Sequence, residues 1–420
     1  MFKSASSLII LLAVVAFVEY YCFTAVNVAL RTANNTVRYT LLTIYVAISV
    51  AAWYSMLSFR GWNMAEWPST VKNLFIALMI GFFVAKILMA TFMLLDDLRR
   101  LFTWIARHFT KVTPQLPDSD VPAEGISRST FIARLALLVG GFTLGGFAYG
   151  TTNRYKYRVS KVKLKLDKLP AAFKGMKIVQ ISDVHSGSFD DHKAVAHGID
   201  LIMEQKPDLI LFTGDLVNNE AKEIESYKDI FGRLKAPLGV YSTLGNHDYG
   251  DYVEWPSPEA KVANLEALKQ HHADMGWRLM MNEHVLLERG EDKIALLGVE
   301  NWSAMARFPK HGRLSDAYAG LEAANVPVKI LMSHDPTHWD AEIRQKFKDI
   351  NLTLSGHTHG MQFGLKLSWM KWSPVQYIYK QWGGLYSQDK QHLYVNVGFG
   401  FLGYSGRLGI LPEITVIELV

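Results

Sequence analysis

The strongest constraint on this chain lies in its first 95 residues. Ser7–Leu30, Tyr39–Ser58 and Leu74–Leu95 are mostly apolar, and each reaches the roughly 20 residues that a helix needs to cross a hydrocarbon core ~30 Å thick. Three such stretches crowded together do not suit the buried core helices of a soluble domain. They predict membrane helices, and Phe131–Tyr149 predicts a fourth. Tyr20, Trp53, Trp62 and Trp67 fall in or near the span ends, where interfacial aromatics gather. Half of the 420 residues are hydrophobic, an average that conceals a membrane part and a soluble part. The expected organisation is a three-span region over 1–110, a polar linker over 111–130 carrying Pro114, Pro117 and Pro122, a fourth span over 131–150, and a separate domain over 151–420.

Two charges interrupt the spans. Glu19 in the first and Lys86 in the third are candidates for a pair inside the helix bundle, since an intramembrane charge is a functional hint; helix packing or water around Lys86 is the alternative. The fourth span carries Gly141-x-x-x-Gly145 and Gly146-x-x-x-Gly150, a spacing that lets helices approach closely. The loops after spans one and three hold Arg31, Arg38, Arg99, Arg100, Arg107, Lys111 and Arg128. That bias favours those loops in the cytoplasm and the C-terminal domain outside. The only cysteine, Cys22, lies in span one, so no disulfide forms within the chain. The net charge of +5 is modest and nothing resembles a nucleic-acid module, so no nucleic-acid partner is expected.

The C-terminal part reads differently. Met176–Ile181, Asp208–Phe212, Gly239–Leu244, Val328–Met332 and Ile350–Leu354 are short apolar runs bounded by Gly or Pro, the pattern of buried strands. Helix-like stretches such as His192–Gln205 and Pro258–Met275 separate several of them, so a layered α/β domain is predicted. Just beyond these runs come Asp183-Val184-His185, Gly214-Asp215, Gly245-Asn246-His247-Asp248, Ser333-His334 and Gly356-His357-Thr358-His359. Open α/β sheets place their sites at such carboxyl ends. Asp-x-His alone arises by chance, and Gly-Asn-His-Asp alone suits a turn. The ordered set of five is what carries information.

Carboxylate, amide and imidazole donors form a mixed set that suits Mn, Fe, Zn or Ni better than Mg or Ca. No Cys belongs to it, which argues against a thiolate zinc site. Two divalent ions about 4 Å apart would activate a water and clamp phosphoryl oxygens, the requirements of phosphoester hydrolysis.

The five motifs, in this order, resemble those of the calcineurin-like metallophosphoesterases, over roughly Lys177 to Val420. The resemblance implies a layered α/β-β/α sandwich and two metals. It implies that Asp183, His185 and His359 hold one ion, that Asn246, His334 and His357 hold the other, and that Asp215 bridges them. It also implies that His247 acts on the phosphate as general acid or charge stabiliser, with Asp248 orienting its ring. An Asp-x-His motif behind a membrane segment is similar to bacterial membrane-associated phosphodiesterases, often grouped with UDP-2,3-diacylglucosamine pyrophosphohydrolase-like proteins. That branch continues the last motif with two glycines, whereas here Met361 follows Gly360.

Other residues are expected to play lesser parts. His192, His197, His271, His272 and His284 read as surface groups, and His338 as a residue of the helix after His334. Lys161–Leu166 alternates strictly, giving a strand with one basic face that suits either anionic headgroups or a protected sheet edge. Met361–Tyr386 mixes Trp369, Trp372, Tyr377, Tyr379 and Trp382 with Lys366, Lys371 and Lys380, which suits either core packing or a rim that meets lipid headgroups or a phosphate-bearing substrate. The expected protein is an integral membrane phosphoesterase of the bacterial cytoplasmic membrane, cleaving a phosphodiester or pyrophosphate of a lipid or lipid precursor. Its rivals are an enzyme for soluble nucleotide or phosphoprotein substrates and a membrane sensor that keeps the fold without catalysis.

Overall fold

The apolar stretches form continuous helices in the computed structural model, which describes residues 5–58, 62, 67–110, 127–367 and 369–420. They are α1 (Ala5–Ala29), α2 (Asn35–Ser58), α3 (Ser69–Thr110) and α4 (Arg128–Gly150), and each contains a segment long and apolar enough to cross a membrane. Helix α3 runs well past the expected span. Its charged end supports itself, since the buried carboxylate of Asp96 pairs with Arg99 at 2.8 Å and Arg100 at 2.7 Å, the i,i+3 and i,i+4 spacings of one helix face. Of the expected linker, residues 111–126 lie outside the described residues.

The chain divides into two compact units, residues 1–149 and 150–420. In the first unit Glu19 and Lys86 do meet, in an ion pair. Lys86 Nζ also donates to Ser49 Oγ at 2.8 Å, and Glu19 accepts from the Tyr45 hydroxyl at 2.9 Å and the Trp53 indole at 2.5 Å. Three helices are tied by one buried polar cluster. Two close helix approaches fall on glycines outside the Gly-x-x-x-Gly pattern. A Cβ on Gly81 would meet Phe147 at 2.8 Å and one on Gly140 would meet Met89 at 2.5 Å, while Gly141 and Gly145 face open space.

The second unit holds two sheets. Its strands are β1 (Arg158–Leu164), β2 (Lys177–Ile181), β3 (Leu209–Phe212), β4 (Val240–Ser242), β5 (Arg278–Leu279), β6 (Glu283–Arg289), β7 (Asp292–Gly298), β8 (Lys329–Met332), β9 (Leu352–Ser355), β10 (Leu365–Lys366), β11 (Lys371–Trp372), β12 (Gly384–Gln388), β13 (Gln391–Val395) and β14 (Glu413–Leu419). One sheet runs β1-β14-β2-β3-β4-β5, the other β12-β13-β9-β8-β7-β6, and β10-β11 is a separate small ribbon. β2 to β5 pair in parallel, as do β7, β8, β9 and β13, while β14 runs antiparallel to β2.

Alternation along each strand decides which layer a side chain joins. Ile178, Leu209 and Leu211 of the first sheet pack on Leu296, Ile330, Met332 and Leu354 of the second. Their neighbours Val179, Ile181, Ile210 and Phe212 face Val195, Ile199 and Ile202 of α5 (His192–Glu204), Phe231 of α6 (Lys228–Phe231) and Leu268 of α7 (Pro258–Asp274). The second sheet's outer face packs Leu297, Leu331 and Leu393 against Trp339 and Ile343. Both sheets are therefore covered on both faces, the α/β-β/α layering expected of parallel strands. Asp191 and Ser257 cap α5 and α7 by accepting the N–H of Ala194 and Ala260, the usual N-terminal device.

Two expectations change. His272 is fully buried, not a surface group. It lies on the inner face of α7, with its ring 5.8 Å from that of Trp277 and 6.1 Å from that of Phe212. The aromatic segment after His359 is split. Tyr379 and Trp382 are core residues, while Trp369 and Tyr377 are each 77% exposed. The basic strand is β1, at the edge of its sheet, with Lys161 and Lys163 exposed.

Candidate metal centre

Five of the residues singled out by the motifs adopt left-handed backbone conformations. Asp183, His185, Asp215, His357 and His359 have φ of 51°, 49°, 62°, 72° and 50°. Such a conformation costs an L-residue roughly 1–2 kcal/mol, and clustering of this strain marks a functional site. It arises because each strand must turn sharply to present its side chain at the sheet's end. Glycines make the room. A Cβ on Gly245 would fall 2.2 Å from Asp215 Oδ1, and one on Gly356 would fall 1.9 Å from Ser182 Oγ and 2.2 Å from Asp183 Oδ2.

The side chains converge in two groups. Asp183, His185 and His359 present ligand atoms within 4.8 Å of one another, as do Asp215, His334 and His357. Asp215 Oδ2 lies 3.6 Å from His185 Nε2 of the first group and 3.1 Å from His334 Nε2 of its own. One carboxylate oxygen thus faces both. The structure brings Asn246 and His247 to the same cleft, of about 240 Å³, which His185, Asp215, His357 and His359 also line.

The donor atoms are arranged for cations. His185 Nε2, His359 Nε2 and Asn246 Oδ1 are buried without a hydrogen-bond partner, a costly state unless something fills it. Burial pushes His185 down to about 3 and His357 down to about 4, and it holds His359 well below the ordinary imidazole value. These rings are neutral, with lone pairs to offer. His334 goes the other way, up to about 10, because the Asp215 carboxylate outweighs burial. Asp215 is held well below the usual carboxylate range by His334 and His247, which outweigh its own burial. A divalent cation would supply the positive charge that a proton on His334 otherwise gives. The residues fit a metal pair.

Several donors are braced from behind. His334 Nδ1 meets the Thr213 carbonyl at 2.8 Å, which leaves Nε2 for the cluster. Asn246 donates its amide N–H to the Tyr252 hydroxyl at 2.8 Å, which turns Oδ1 inward. Asp183 accepts the His357 N–H at 3.0 Å. The buried guanidinium of Arg407 donates to the carbonyls of Val397 at 2.7 Å and His359 at 3.2 Å.

The expected partnership of Asp248 with His247 is replaced by another. His247 Nδ1 meets the Asn218 carbonyl at 2.8 Å. Asp248 instead accepts the N–H groups of Leu216 and Gly245 at 2.8 Å and Asp215 at 2.9 Å. The reason is geometric. Asp248 is fully buried in the turn beneath its own loop, where unpaired backbone donors need an acceptor. Asn218, Tyr252 and Arg407 carry no motif in the sequence and were not foreseen. His338 lies outside both groups, buried between Ser333 Oγ at 2.8 Å and Glu342 at 3.1 Å.

Comparison with known proteins identifies the family. The profile of calcineurin-like phosphoesterases matches residues 176–361, and that of the transmembrane domain of probable calcineurin-like phosphoesterases matches residues 5–154. The Bacillus subtilis metallophosphoesterase YkuE is 30% identical over 307 residues, 70% of this chain and 98% of that one. A zebrafish (Danio rerio) transmembrane protein with a metallophosphoesterase domain is 30% identical over 306 residues, 71% of this chain and 64% of that one, so this chain spans less than two thirds of that relative's length. The Escherichia coli phosphodiesterase YaeI is 27% identical over 252 residues, 58% of this chain and 82% of that one. This chain belongs to the calcineurin-like metallophosphoesterases. It is an integral membrane protein, and it stands among the metal-dependent phosphoester hydrolases.

Proposed function

We propose that the chain is a binuclear phosphoesterase anchored in the bacterial cytoplasmic membrane, with its catalytic domain outside, cleaving a phosphodiester or pyrophosphate of a lipid or lipid precursor. Asp183, His185 and His359 would hold one ion, Asn246, His334 and His357 the other, and Asp215 both. The observation that carries this reading is the position of Asp215 Oδ2 between the two groups. When bound, the ions supply an activated water and positive charge against the phosphoryl oxygens.

The protein's own groups do the rest. His247, held through Nδ1 by Asn218, keeps Nε2 free to protonate or stabilise the departing oxygen. The cleft has an apolar wall of Phe308, Met361, Val375, Ile378 and Leu402 and one cationic side chain, Arg307. Met361 takes φ 51°, the conformation glycine adopts readily, and this places a large side chain where the resembling branch has none. An apolar wall beside a cation suits a phosphoryl group with an acyl or prenyl neighbour. Exposed Trp369, Tyr377, Leu365 and Leu367 add a surface that amphipathic aromatics favour at a headgroup layer. A kinship with the UDP-2,3-diacylglucosamine pyrophosphohydrolase-like proteins is part of the same proposal.

The test uses full-length protein in nanodiscs, stripped of metal and reloaded with Mn²⁺. Lipid pyrophosphates, cyclic nucleotides and aryl phosphodiesters are offered in parallel. The lipid should be cleaved most efficiently, and Trp369→Ala with Tyr377→Ala should lower that rate relative to the aryl diester. Preference for a soluble nucleotide overturns the substrate assignment, and inactivity on every ester in the loaded protein points to a sensor. Asp215→Asn should bind less metal than any other single ligand variant; two full equivalents in it would remove the bridging role.

A further inference from the structure

One more carboxylate reaches the cluster. Asp335 follows His334 directly in the loop after β8 and is fully buried. Its Oδ1 accepts the Thr337 N–H at 2.8 Å. Its Oδ2 has no hydrogen-bond partner and lies 3.6 Å from His357 Nε2. That same Nε2 stands 2.7 Å from the Tyr379 hydroxyl, while His357 Nδ1 faces His334 Nε2 at 3.2 Å. The ring therefore points one nitrogen into the cluster and the other toward a carboxylate and a hydroxyl.

The two groups differ in charge. The first has a carboxylate of its own, Asp183. The second shares Asp215 and otherwise offers no carboxylate, only His334, His357 and Asn246. A buried carboxylate oxygen left unpaired is expensive, so its place beside the outer nitrogen of a ligand candidate calls for a reason. An imidazole that binds a metal through one nitrogen commonly has its other nitrogen fixed by a carboxylate or hydroxyl; here Nε2 is hydrogen-bonded to the Tyr379 hydroxyl, and the Asp335 carboxylate stands at 3.6 Å as a neighbouring charge rather than a hydrogen-bond partner.

We infer that Asp335 is a positioning residue for the second metal, supplying through His357 the negative charge that this group lacks. The inference rests on the ligand assignment proposed above. Asp335 sets the affinity of the second ion and leaves the first, held by Asp183, His185 and His359, unaffected. Tyr379 is the smaller contributor, since a hydroxyl carries no charge.

Full-length protein in detergent, stripped by chelator, is titrated with Mn²⁺ by calorimetry, with electron paramagnetic resonance reporting spin coupling between paired ions. The parent protein should show two binding steps and a coupled signal. Asp335→Asn keeps the acceptor for Thr337 and nearly the same volume. It should weaken the second step about 10- to 100-fold, spare the first, and lose the coupled signal at limiting metal. Tyr379→Phe, which keeps the carboxylate, should retain both steps. If Asp335→Asn does not fold, Tyr379→Phe still decides: loss of the second ion in it assigns the role to the hydroxyl and overturns the inference. Two unchanged steps in Asp335→Asn overturn it as well. A control separates the two claims, because His357→Ala that keeps both steps refutes the ligand assignment and with it any role of Asp335 through His357.

Discussion

Asp248 accepts the backbone N–H of Asp215 at 2.9 Å. The carboxylate of one motif thus holds the main chain of another, and it does so at the residue whose side chain faces both metal groups. Leu216 and Gly245 donate to the same carboxylate at 2.8 Å. Asp248→Ala should leave these donors buried and unpaired, each worth about 1–3 kcal/mol. We expect a large fall in thermal stability and metal content together, measured by calorimetry and elemental analysis. A variant with parental stability and full metal but lost turnover would return Asp248 to a role in the chemistry itself.

His247 should behave oppositely. Its backbone N–H donates to Asp215 Oδ1 at 2.8 Å and its ring packs 4.9 Å from that of His185, but its side-chain Nδ1 is taken by the Asn218 carbonyl and its ring lies 4.5 Å from that of Tyr252. His247→Ala should lose about 10²-fold or more in turnover while binding both ions. Loss of metal with unchanged turnover per loaded centre would show that the side chain is a ligand instead.

The strands and motifs were legible in the sequence because local chemistry fixes both. Met176–Ile181 or Ile350–Leu354 can only be buried, and a Gly beside an Asp or His at such a run's end marks a sharp turn. What stayed hidden depends on distant residues meeting. Asn218 serves His247 through a main-chain carbonyl, which no side-chain pattern reports. Asp335 reaches His357 across 22 residues. The buried place of His272 follows from the packing of α7 on Phe212 and Trp277, while the helix itself is too polar overall to advertise one inward face. Glu19 and Lys86 stood out in the sequence as charges within spans, but their pairing, and the parts of Ser49, Tyr45 and Trp53, depend on how three helices pack.

That membrane cluster makes its own prediction. Lys86 is 3% exposed at its side chain and Glu19 24%, so the ammonium is shut in against its partner. Removing one partner of a buried pair typically costs about 3–5 kcal/mol because the other is stranded. Glu19→Gln and Lys86→Met should each lower the unfolding midpoint of the detergent-solubilised protein, and the double variant should lose less than the sum. Strict additivity would mean that the pair is not coupled.

The last prediction concerns acid. His272 is fully buried among apolar neighbours, and burial, with a smaller contribution from adjacent His271, pushes it down to about 3. In the unfolded chain the ring has its ordinary value near 6.5. Below that value the unfolded state binds a proton that the folded state refuses, so stability is complete above pH 6.5 and drains away as pH falls toward 3. The slope for one proton approaches about 1.4 kcal/mol per pH unit. His272→Leu removes this term while filling a similar space. With metal chelated throughout, so that release of ions contributes equally, thermal midpoints of parent and variant are compared at pH 7.5 and 5.5. The variant should gain on the parent by on the order of 1 kcal/mol across that interval. Parallel pH profiles would mean that His272 finds a hydrogen-bonding partner when protonated, and that the acid sensitivity of the domain arises at the metal centre alone.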